Sequence, residues 1–267
     1  MDRERLQRIR NFQSEDWYPA LVIRPLTIVV MLVIADWKFL TPNRLTTIAN
    51  VMKLAAAWLI LQPDHTVLAI VMLNLGLLFD HLDGTVARYR RTFTKFGSMY
   101  DKVSDYITWP VIVMAAAWQA YRETTDAFLL LLGAGSVLAL AVRGYMKWLY
   151  QAETERLRWF EAKTDPAAAI AKRTAPIVIA PPPVRTPAQW ATWFCKQLLG
   201  VLKFEEMDLW FWLSVAVAIH HLDWAMWFFA ITQVPLMLAL VVIRGVWIAR
   251  VDRQLQAFEH TRDQPAA

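Results

Sequence analysis

Asp80-His81-Leu82-Asp83-Gly84-Thr85-Val86-Ala87-Arg88, then after eight residues Gly97-Ser98-Met99-Tyr100-Asp101-Lys102-Val103-Ser104-Asp105, is the stretch on which the reading of this 267-residue chain turns. In its first half Asp80, Asp83, Gly84, Ala87 and Arg88 recur at steps of three and four, so on a helix they share one face. In its second half Gly97, Asp101 and Asp105 step by four and form another such stripe. Tyr89 to Phe96, with Arg90, Arg91 and Lys95, reads as a tight polar turn. The two helices are therefore expected to be antiparallel neighbours with facing acidic stripes, which gathers four carboxylates in one small volume.

Carboxylates that close do not all stay ionised unless cations sit among them. Hard divalent ions such as Mg²⁺ or Mn²⁺ are the natural partners of an all-oxygen cluster. Gly84 and Gly97, lacking side chains, let a flat or bulky ligand approach the backbone. Arg88 supplies a positive fork suited to phosphate. One or two acids in such a setting read as partners of Arg or Lys. Four at these spacings, with both glycines and the arginine in register, read as a site.

Working outward, 57% hydrophobic residues, 14 Trp and 19% charged residues are values that a soluble domain of this length seldom shows. The mean hydropathy of +0.31 agrees. The expected fold class is an all-α integral membrane protein with six transmembrane helices and an N-terminal cytoplasmic interfacial helix. Apolar stretches of spanning length run from Leu45 to Leu61, Thr66 to Asp80 and on into the motif, Gly97 to Trp118, Ala127 to Tyr150, Met207 to Ile219, and Trp224 to Ala249. The connections Gln62 to His65 and His220 to Asp223 carry no Lys or Arg. Arg44, Arg88, Arg90, Arg91, Lys95, Lys147, Arg156, Arg158, Arg250 and Arg253 fall on the opposite side, so both termini and the acidic cluster are expected to face the cytoplasm. In a bacterium that means the inner membrane.

Pro25 to Ala35 is apolar but short, bracketed by Arg24 and Asp36, and reads as a helix lying on the cytoplasmic surface. This divides the chain into an N-terminal segment, 1–40, a membrane domain, 41–253, and a C-terminal tail, 254–267. Residues 151–206, with Pro176, Pro181, Pro182, Pro183 and Pro187, read as a cytoplasmic loop in which Pro187 to Phe204 has the aromatic spacing of an interfacial helix. The charged first 18 residues lack the apolar core of a signal peptide. The lone Cys195 excludes an intramolecular disulfide and is expected to be a packing residue. The net charge of +5 is spread over the ends of apolar segments rather than gathered in a patch, which argues against nucleic acid as a partner.

The quoted stretch, with all eight signature positions filled, resembles the signature of the CDP-alcohol phosphotransferases. Upstream, Thr41-Pro42-Asn43-Arg44-Leu45-Thr46 resembles the Pro-Asn-x-Leu-Thr segment that opens this family's first membrane helix. Together the matches cover about residues 41 to 110. The resemblance implies phosphatidyl transfer from CDP-diacylglycerol to the hydroxyl of a polar alcohol, with release of CMP. It implies two divalent ions held by Asp80, Asp83, Asp101 and Asp105, with Asp105, last in the signature, as the base. It also implies CDP binding by Gly84, Ala87, Arg88, Gly97 and Asn43, and a homodimer among membrane lipids. His81, one residue off the acidic stripe, is expected to line a helix contact.

Arg143 and Lys147 lie four apart and either bind the phosphate of a phosphorylated alcohol acceptor or extend to lipid headgroups. The signature does not separate phosphatidyl transfer from the transfer of a phospho-amino-alcohol, carried by a soluble CDP-alcohol, to a lipid hydroxyl. Outside the enzymes, an intramembrane acid cluster also suits a cation or proton transporter, although neither paired halves nor broken helices are evident.

Overall fold

Residue types at the element ends account for where the helices start and stop. The computed structural model of the protein describes residue 9 and residues 18–164, 186–200 and 208–262. Thr41, in extended conformation, accepts a hydrogen bond from the Arg44 amide through Oγ1 at 3.4 Å, and Pro42 occupies the first turn of the helix that follows. Arg91 takes the left-handed conformation (φ 57°) that ends the next helix. Thr94 then caps another by accepting from the Gly97 amide at 2.9 Å.

Among the described residues every regular element is helical. A π-helical turn, Pro19–Ile23, runs into α1 (Arg24–Ile34), followed by α2 (Pro42–Ile60), a 3₁₀ turn at Pro63–His65, α3 (Thr66–Arg90) and α4 (Lys95–Thr124). Then come α5 (Phe128–Thr164), α6 (Pro187–Gly200), α7 (Asp208–Ala218) and α8 (Leu222–Arg262). The all-α expectation agrees with this. Among the described residues three helices are long and apolar enough to cross a membrane, over Thr66–Arg90, Phe128–Phe160 and Leu222–Gln256, and they coincide with three of the six expected spans. Helices α2 and α4 stand where two more were expected, and α7, at 11 residues, is short.

Three boundaries differ from the sequence reading. The connection between α3 and α4 is confined to Arg91–Thr94, because the two caps let both helices run further than the charges of Tyr89 to Phe96 suggested. Gln151 to Thr164, expected as the start of a loop, continues α5. Charged side chains there pair one turn apart, as in Arg158 with Glu155 at 2.8 Å, and sustain the helix beyond its apolar part. Likewise α8 continues past Arg253 to Arg262. A helix forms at Pro187–Gly200 within the segment where aromatic spacing predicts one; Cys195 on it is exposed rather than packed. Residues 1–8 and 10–17, the proline-rich 165–185, 201–207, where the expected interfacial helix ends and the fifth expected span starts, and the end of the tail, 263–267, lie outside the described residues.

The described chain divides into two compact units, Met1–Leu138 with Ala191–Gln233, and Ala139–Trp190 with Val234–Ala267. In the first, α2 packs on both α3 and α4, and α3 also packs on α7. Leu45, Leu73, Leu77, Ile112 and Leu213 are fully buried there. Small residues set the close approach of α4 to the start of α5: a Cβ on Gly133 would lie 2.6 Å from the Cβ of Ala117. Segment 19–40 is fastened to α3 by Arg90, whose guanidinium donates to the carbonyls of Ala35 (2.9 Å), Leu40 (2.7 Å), Ile34 (3.3 Å) and Trp37 (2.9 Å). These groups would otherwise be left open at the end of α1. In the second unit, Arg244 Nη1 donates to the Arg143 carbonyl at 3.1 Å, and the rings of Tyr150 and Trp247 stand 4.2 Å apart.

Candidate active site

Three helices of the first unit bring the site together. Asp80 sits four turns into α3, and Asp101 and Asp105 lie one turn apart in α4. Each of these three offers one carboxylate oxygen such that all three oxygens fall within 4.8 Å of one another. Asp83 is directed elsewhere: its Oδ2 accepts a short hydrogen bond from the Thr46 hydroxyl of α2, and the residue is 6% exposed. Of the four carboxylates expected in one cluster, three thus converge, and the fourth is tied by one oxygen to the neighbouring helix. His81 Nδ1 lies 3.0 Å from the carbonyl of Leu77 on its own helix.

Sequence reading missed Lys53. It projects from α2 and places Nζ 2.8 Å from Asp80 Oδ1 and 2.6 Å from Asp105 Oδ1, with its side chain 1% exposed. A signal was present, since Lys53 is the single charged residue in the apolar stretch Leu45 to Leu61. A lone charge in such a stretch asks for a partner on a neighbouring helix. Thr46 was also overlooked, although it closes the upstream motif.

The residues expected around CDP line the adjoining ends of these helices. Above Gly84 lies the guanidinium of Arg88: a Cβ there would come within 3.3 Å of Arg88 Nη1, and Arg88 Nη2 donates to Thr85 Oγ1 at 3.3 Å. Asn43 at the start of α2 faces Gly97 at the start of α4, where an added Cβ would stand 3.0 Å from Asn43 Oδ1 and 2.9 Å from Thr94 Oγ1. Tyr100 and Thr47 join the same two helices through their hydroxyls at 3.0 Å. Ala87 is buried at 7% exposure. Arg143 and Lys147 are on the part of α5 that belongs to the second unit.

Does the acid triad suit a divalent ion? Ligand oxygens on opposite sides of Mg²⁺ or a slightly larger ion are separated by about 4.2 to 4.8 Å, and the three carboxylate oxygens lie within that reach. The ammonium of Lys53, seated between two of them, shows that this place already holds positive charge. The donor set and its spacing fit a hard cation.

The family model described as CDP-alcohol phosphatidyltransferase matches residues 39–198, more than half of the chain and all of the helices that carry the acids. The chain belongs to that family. The segment of the family match holds Asp80, Asp83, Asp101 and Asp105, the glycines and Arg88. The chain is also 37% identical, over 78 residues, to the phosphatidylinositol phosphate synthase of Corynebacterium glutamicum. That match covers 29% of the chain and 36% of the relative, so the chain spans about a third of the length of the curated relative it matches.

Proposed function

We propose that the protein transfers a phosphatidyl group from CDP-diacylglycerol to the hydroxyl of a polar alcohol and releases CMP. The observation that carries the reading is the convergence of Asp80, Asp101 and Asp105 within 4.8 Å, inside the segment matched by the family model. These three residues would hold Mg²⁺ or Mn²⁺, with Asp83 adding a fourth carboxylate. Bound there, a divalent ion supplies positive charge against the two donor phosphates and the leaving CMP.

The chain's own residues do the rest. Arg88 binds a donor phosphate, its guanidinium given room by the bare backbone of Gly84. Gly97 and Asn43, face to face, receive the cytidine together with Ala87. Asp105, one oxygen of which is engaged by Lys53, takes the acceptor's proton on the other as the alcohol oxygen attacks the lipid-side phosphorus and the bond to CMP breaks. No covalent intermediate is involved.

A phosphorylated polyol is the favoured acceptor, supported by the similarity to the Corynebacterium phosphatidylinositol phosphate synthase, and Arg143 with Lys147 are the candidates from the sequence for its phosphate, with contact to lipid headgroups as the alternative. Six spans, a cytoplasmic site and a homodimer complete the proposal. The test is CMP release by purified protein in detergent with CDP-diacylglycerol, Mg²⁺ or Mn²⁺ and a panel of polar alcohols, with Asp105→Asn as control. Metal-dependent CMP with one acceptor, lost in the variant, is the expected result. CMP only from a soluble CDP-amino-alcohol with a lipid hydroxyl would reverse the donor assignment, and none from any pair would remove the transferase reading.

A further inference from the structure

Lys53 is too well built into the acid cluster to be an incidental partner. Its stem passes over Gly76 of α3, where an added Cβ would stand 3.0 Å from Lys53 Cγ and 3.3 Å from its backbone nitrogen. The ring centroid of Trp210 on α7 lies 5.7 Å from Nζ, within cation–π range. Thus three helices shape the lysine's position, and its ammonium ends on one oxygen each of Asp80 and Asp105.

Charge bookkeeping then bears on how much metal the cluster takes. Asp80, Asp101 and Asp105, when ionised, carry three negative charges, and Asp83, whose Oδ2 is held by Thr46, stands outside this donor-free count; Lys53 offsets one of the three and leaves the complement of a single divalent ion. The sequence reading expected two ions. The geometry points to a different division: Lys53 is a built-in counter-ion that takes the place of one of them, so that without donor the protein binds one divalent ion at this cluster. This inference rests on the metal-holding role proposed above.

The test is a Mn²⁺ titration of the detergent-purified full chain without donor, with free Mn²⁺ read by electron paramagnetic resonance. Wild type is expected to bind one ion per chain. Lys53→Met is expected to bind a second ion, or the first roughly tenfold or more tightly, because a fixed positive charge a few ångströms from the ion opposes it strongly at protein dielectric values. Lys53→Arg, which keeps the charge, is expected to match wild type in stoichiometry.

Two ions on donor-free wild type, or a folded Lys53→Met whose titration superimposes on wild type or weakens, would overturn the inference. The wild-type count decides even if the methionine variant does not fold. CMP release measured on the same preparations separates the two levels: active protein holding two ions sinks the Lys53 inference alone, whereas protein that binds no Mn²⁺ removes the metal site and the inference together.

Discussion

Replacing Arg90 with Ala should release the N-terminal segment from the helical domain. Four of the five guanidinium N–H groups are spent on the carbonyls of Ile34, Ala35, Trp37 and Leu40, at 2.7 to 3.3 Å. A net value of ~1 kcal/mol per bond sums to about 4 kcal/mol. The contacts are half-exposed, so water partly replaces the lost donor, and about 3 kcal/mol is the working figure. At 1.4 kcal/mol per decade this corresponds to roughly a hundredfold rise in local opening. Hydrogen exchange by mass spectrometry in detergent should show that rise in peptides covering 24–40, while peptides from the middle of α3 stay protected. Arg90→Lys should recover less than half of the protection, because one ammonium cannot span four carbonyls. Exchange in 24–40 that matches wild type would mean that the clasp contributes nothing, and that Ile23, Met31 and Ile34, all buried, hold the segment alone.

Thr46→Val removes the hydroxyl that serves the buried Asp83 at nearly constant volume, and should cost ~1–3 kcal/mol, read as a lower thermal midpoint in detergent together with reduced CMP release. Gly97→Ala puts a methyl group 2.9 Å from Thr94 Oγ1 and 3.0 Å from Asn43 Oδ1. The KM for the CDP donor should rise about tenfold with kcat less affected, and an unchanged KM would take Asn43 and Gly97 out of the donor site. Gly133→Ala forces α4 away from α5 at Ala117 and should destabilise by ~1–3 kcal/mol, with Ala117→Gly restoring the midpoint in the double variant. Chelation by EDTA should abolish CMP release, and added Mg²⁺ or Mn²⁺ should restore it; activity that survives chelation would refute the assigned role of the acids.

Local signals read well because they depend on periodicity. Steps of three and four placed Asp80 on one helix and Asp101 and Asp105 on the next, and the structure joins their oxygens. What periodicity does not reveal is which oxygen a neighbouring helix claims. The turn of Asp83 toward Thr46 and the reach of Lys53 from α2 are interhelical events, visible only when α2 lies against α3 and α4. Lys53 left a trace as a lone charge among apolar residues, whereas Thr46 left none beyond its place in a motif. Helix ends misled in the other direction. The prolines of 151–206 suggested a loop from Gln151 onward, yet they begin only at Pro166, and before them pairs such as Arg158 with Glu155 continue a helix well beyond its apolar part. Arg90 was counted only as one basic residue among many; its fourfold grip follows from where α1 ends, which composition does not encode.

The short connection between α3 and α4 works as a ruler. Of its residues, Arg91 supplies the left-handed stop and Thr94 the starting cap, which leaves only Thr92 and Phe93 between them, and the Thr92 amide is itself bound to the Ala87 carbonyl at 3.0 Å. Deleting one residue here must either strip a helix of its cap or wind one more residue out of α4. The second choice rotates that helix by about 100° and carries Asp101 and Asp105 off the face that meets Asp80. Exchange of side chains at Thr92 or Phe93 leaves the phase between the two stripes intact, so this corner of the protein is free to change in letters and not in length.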